Sequence, residues 1–95
     1  MGYWELSEKE QEKEDLDMLK IRVENTIGKK VDRAVEKELI TKEDADKLTN
    51  ALSKFTNKGN YKWWAEQKGN KSFDIAVAIF EDKPELEILM KIEKA

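Results

Sequence analysis

SFDIAVAIF (residues 72–80), EDKPE (81–85) and LEILMKI (86–92) form the stretch that decides the fold class. Phe73, Ala76, Val77 and Phe80 recur at helical spacing, while Phe73, Ile75, Val77 and Ile79 alternate as they would on a strand. The second run repeats the ambiguity, with Leu86, Leu89 and Met90 on a helix face or Leu86, Ile88, Met90 and Ile92 on a strand face. A β-hairpin turning at Glu81–Glu85 therefore competes with two helices. Ala76 and Ala78 favour helix, since alanine forms helices well and strands poorly. Asp82-x-x-Glu85, with Pro84 in the first turn, reads as a helix start. The expectation is an all-α fold, a small bundle of four or five helices. The alternative is an α+β fold with a C-terminal β-hairpin at 73–92.

Upstream lies KFTNKGNYKWWAEQKGNK (54–71), the one clearly basic segment. Lys54, Lys58, Lys62, Lys68 and Lys71 stand there against Glu66 alone. Gly59 and Gly69 bound a short helix or turn that carries Tyr61, Trp63 and Trp64. On a helix, Tyr61 and Trp64 share a face and Trp63 points elsewhere, because adjacent residues sit about 100° apart.

Before it, Thr41-x-x-Asp44 marks a helix start with acids in the first turn. Ala45, Leu48, Leu52 and Phe55 make the apolar face of that helix. Further back, Leu16, Leu19, Val23, Ile27, Val31, Ala34 and Val35 step by three or four along one helix face. Met18 and Ile21 fall off that stripe, so the helix has apolar groups on a second side. Gly28 interrupts the pattern, as a kink or as a point of close packing, and an unbroken helix over 8–38 would be long for so small a protein. Ser7-x-x-Glu10, with Leu6 as a staple, reads as its start. The short connection to the next helix predicts an N-terminal antiparallel helical hairpin.

Ninety-five residues bound one domain, and 41% charged against 39% apolar residues suits helices that bury a single stripe. The net charge of −3 argues against general affinity for phosphate backbones, so a nucleic-acid role needs a local patch. The acidic run Glu8–Asp17 is either a solvated helix end or a docking surface for a basic partner. The chain contains no Cys and no His. That removes disulfides, the usual zinc ligand sets and imidazole-based catalysis. Gly28-Lys29-Lys30 lacks the spacing of a phosphate loop, and Asp44-x-Asp46 lacks the glycine of a calcium loop. No enzyme activity, metal or cofactor is expected. MGYWELSEKE has no secretory core, and no run approaches the ~18 apolar residues of a membrane span. A cytoplasmic protein without a membrane segment is expected.

These exclusions leave binding. The expected function is that of a small regulatory or inhibitory protein that binds another protein, with Lys58, Tyr61, Lys62, Trp63 and Lys68 as the contact surface. The alternative is nucleic-acid binding through the same residues, with aromatic rings stacking bases and lysines holding phosphates. A rival reading makes the aromatics a plug for the end of the core. The apolar content of 73–92 also leaves a homo-oligomer open.

Overall fold

In a computed structural model, the backbone is described from Gly2 and the side chains from Glu14, in both cases to Ala95. Five helices follow one another: α1 (Gly2–Glu36), α2 (Lys42–Thr56), α3 (Tyr61–Glu66), α4 (Ser72–Phe80) and α5 (Leu86–Ile92). Among the described residues there is no strand, so the run 73–92 resolves as two helices and the β-hairpin alternative falls away.

Helix α1 is unbroken through Gly28. Its 35 residues span about 52 Å at 1.5 Å per residue, which accounts for the molecule's longest dimension of 56 Å. Leu16, Leu19, Val23, Ile27, Val31 and Ala34 are all buried, and Val35 is half-buried at the edge. Burial of Ile27 and Val31 on either side carries the helix past the glycine, because tertiary packing outweighs local propensity. The helix begins at Gly2, ahead of Ser7. The side chains of Ser7, Glu10 and Leu6 lie outside the described residues.

Helix α1 ends in a Schellman turn. The Leu39 N–H donates to the Ala34 carbonyl at 2.8 Å and the Glu38 N–H to the Val35 carbonyl at 3.1 Å. Glu38 sits at the left-handed position of this motif, with φ of 61°, where glycine is usual. Ile40 is buried just beyond and anchors the connection. Thr41 then caps α2 as expected, accepting from the Asp44 N–H at 3.1 Å. Helix α2 buries Ala45, Leu48, Leu52 and Thr56. Thr56, at its far end, donates through its hydroxyl to the Glu24 carboxylate, well back along α1. The two helices therefore run antiparallel, as the predicted hairpin requires.

Helix α1 meets each of the other four helices. Helix α4 contributes Ile75, Ala76, Ile79 and Phe80 to the core. Phe73 and Val77, expected on the buried face, lie half-buried at its margin. Helix α5 buries Leu89 and Ile92 and leaves Met90 38% exposed. Its start is corrected relative to the sequence reading. The helix opens at Leu86, and Asp82 to Glu85 form turns closed by Leu86 N–H to Lys83 O at 3.1 Å. Pro84 accounts for the shift: its ring disfavours the helical region for Lys83, which weighs against a helix that begins at Asp82.

The Glu38 conformation yields a test. Glu38→Gly is expected to stabilise the protein by about 1 kcal/mol, read as a rise of several degrees in the thermal midpoint. An unchanged or lowered midpoint would contradict the turn.

Candidate interaction surface

The segment between α2 and α4 folds as its glycines dictate. Gly59 follows the end of α2 with φ of 67°, a conformation open to glycine at little cost, and turns the chain into α3. Helix α3 has six residues, too few to be stable in isolation. It is held by what its aromatic side chains touch.

Trp64 is fully buried and belongs to the central core. Its indole N–H finds no hydrogen-bond partner among the described residues. Trp63 is half-buried and packs against the core from outside. Its ring meets Phe55 edge-on at 4.9 Å between centroids and Trp64 edge-on at 5.1 Å. Phe55 also leans on Trp64 at 6.0 Å. These are the tilted and T-shaped contacts that aromatic quadrupoles prefer. From the α4–α5 turn, the Lys83 ammonium reaches over Phe55 at 5.0 Å. Trp63 thus forms part of a rigid aromatic shelf.

Tyr61 faces α1. Its hydroxyl donates to the Asp17 carboxylate at 3.3 Å, and the Lys20 ammonium lies 4.2 Å from its ring centroid. Lys20 is only 7% exposed, and it pairs with Asp17 at 3.8 Å. A buried ammonium needs such company: here an acid and an aromatic face share the charge. Tyr61 is therefore held in place by α1 and shows only part of its surface.

The lysines of the predicted surface, Lys58, Lys62 and Lys68, are all exposed. Lys58 lies in the α2–α3 turn and Lys62 next to Trp63 on α3. Lys68 belongs to a different neighbourhood. It borders an open groove of about 690 Å³ whose floor is the outer side of α1, with Met18, Ile21, Arg22 and Lys29. Arg22 donates to the Asn70 carbonyl at 3.3 Å and so ties the α3–α4 loop to this groove. The sequence does not mark Phe55 or Lys83 for this surface. It places Phe55 on the apolar face of α2, and Lys83 comes from the α4–α5 turn, whose position beside Phe55 no local pattern announces. Met18 and Ile21 did carry a signal, since they fall off the α1 stripe.

Among the described residues, no group of three or more acids is placed to hold a metal ion, and no helix is long and apolar enough to cross a membrane. No family model matches the chain, and neither a curated protein nor a solved structure proves similar to it.

The two neighbouring indoles are expected to separate in quenching experiments. With Trp4 replaced by Phe, the Trp63→Phe variant retains only Trp64, whose emission is expected to be blue-shifted and resistant to iodide. The Trp64→Phe variant is expected to be quenched readily. Equal quenching of both would contradict their placement. Truncation separates them too: Trp64→Ala is expected to cost about 3–5 kcal/mol and Trp63→Ala clearly less.

Proposed function

We propose that the protein is a small non-enzymatic regulator or inhibitor that acts by binding another protein through the α3 side of the bundle. Trp63 is the apolar anchor, and Lys58 and Lys62 meet an acidic surface on the partner. The observation that carries this reading is the Trp63 ring, held edge-on by Phe55 and Trp64 yet only half-buried. An aromatic group fixed before binding loses little freedom on association. Large aromatics framed by charge are also where binding energy concentrates. Lys83 adds a further cation beside Phe55, Tyr61 is held against α1 from the same short helix, and Lys68 borders the separate groove on α1.

Basic and aromatic side chains on one segment also suit a single-stranded nucleic acid. Salt separates the two readings, because a phosphate binder loses affinity steeply as salt rises. Affinity capture from the protein's native cells is the test, comparing the unaltered chain with Trp63→Ala and Lys62→Glu. A specific protein held by the unaltered chain and weakened roughly tenfold or more by each variant is the expected result. Capture indifferent to both variants would remove the α3 side as the site. Strongly salt-dependent binding of a single-stranded oligonucleotide would replace a protein partner with a nucleic acid.

A further inference from the structure

The side of α1 facing away from the core carries features that the chain's own packing does not explain. Met18 is 68% and Ile21 55% exposed, more than any other large apolar side chain among the described residues. Three residues apart, they lie side by side on the helix. Gly28 stands on the same side. A Cβ there would meet nothing within 4 Å. Neither packing within the chain nor backbone conformation calls for glycine at this position, yet it costs the helix about 1 kcal/mol against alanine. A glycine on a helix face leaves room for the close approach of another backbone.

The charges nearest the apolar pair are ordered. Glu14 and Asp15 precede Met18, and Arg22 and Lys29 follow Ile21, all four exposed, with the exposed acids Asp32 and Glu36 only further along the same side. At about 100° per residue, these side chains with Met18, Ile21, Asn25 and Gly28 fall within one arc of about 140°. Two of the nearby acids are engaged elsewhere: Asp17 with Lys20 and Tyr61, and Glu24 with Thr56. Two copies of the face laid parallel would set acid on acid and base on base. Laid antiparallel across Met18 and Ile21, they set Glu14 and Asp15 of each beside Arg22 of the other. The face is complementary to itself about a two-fold axis, as a symmetric dimer requires.

We propose that α1 pairs antiparallel with α1 of a second copy of this chain. Met18 and Ile21 form the apolar centre, Glu14 and Asp15 pair with Arg22 across the axis, and Gly28 admits the section of the second α1 that precedes Glu14. The proposal does not depend on the α3 surface, and Trp63→Ala leaves the dimer unchanged.

Sedimentation equilibrium on the full chain, from micromolar to submillimolar concentration at low salt, tests it. The expected result is a reversible monomer–dimer equilibrium that Ile21→Glu shifts toward monomer by roughly tenfold or more, because a carboxylate enters the apolar centre. Met18→Glu is expected to do the same. Both side chains are exposed, so unchanged circular dichroism is expected to show that the monomer stays folded. Arg22→Glu is expected to weaken the dimer, and Arg22→Glu combined with Glu14→Arg and Asp15→Arg to restore it. Gly28→Leu is expected to raise the thermal midpoint of dilute monomer while weakening dimerisation. A chain that stays monomeric at submillimolar concentration overturns the proposal, as does a dimer indifferent to Ile21→Glu. Failure of the charge swap to restore pairing overturns the antiparallel arrangement.

Discussion

Burial of one stripe of α1, from Leu16 to Ala34, is the interaction on which the rest of the molecule depends. Helices α3, α4 and α5 have six, nine and seven residues. Helices shorter than about 12–15 residues are marginal in water, so these three form only because they have an apolar surface to close on. The surface is α1, which all of them meet. Each large aliphatic residue buried there contributes about 1.5–3 kcal/mol. Trp64, Phe80 and Leu89 arrive from three different helices and are sealed completely. The antiparallel course of α2 follows from a short connection whose Schellman turn, buried Ile40 and Thr41 cap each fix part of the reversal.

Where a pattern was long, the sequence was easy to read. The α1 stripe repeats over five turns, and its buried positions match the expected ones, with only Val35 at the margin. The α2 cap and face are equally plain. Short apolar runs were harder, because a helix and a strand share most of their candidate positions over nine residues. In α4 the core face turned out to hold Ile75 and Ile79, with Phe73 and Val77 at its edge. That rotation depends on where α1 and α2 lie, which no local pattern encodes. The start of α5 lies beyond the Asp82-x-x-Glu85 pattern for a local reason, since Pro84 restricts the residue before it as well as fitting a first turn.

The aromatic segment shows how a cluster in sequence separates in space. Trp63 and Trp64 are neighbours in the chain, yet one completes the core and the other rests on its outside. Tyr61 turns to Lys20 and Asp17, while Lys68 borders a groove on the outer side of α1. Helical geometry alone separated Trp63 from Trp64 and Tyr61. The partners Phe55 and Lys83 depend on tertiary packing, and only the fold brings them to Trp63. The two sides of the bundle also differ in kind: the α3 side presents a fixed aromatic shelf with lysines, and the outer side of α1 presents an exposed apolar pair between ordered charges.

Native-state amide hydrogen exchange tests the dependence on α1 most directly. Amides that open only on global unfolding exchange slowest. These amides are expected in α1 from Val23 to Ala34, continuous across Gly28, and in the facing helix α4. Protection that breaks at Asn25–Gly28, or α4 amides that outlast those of α1, would contradict the claim that this one helix organises the fold.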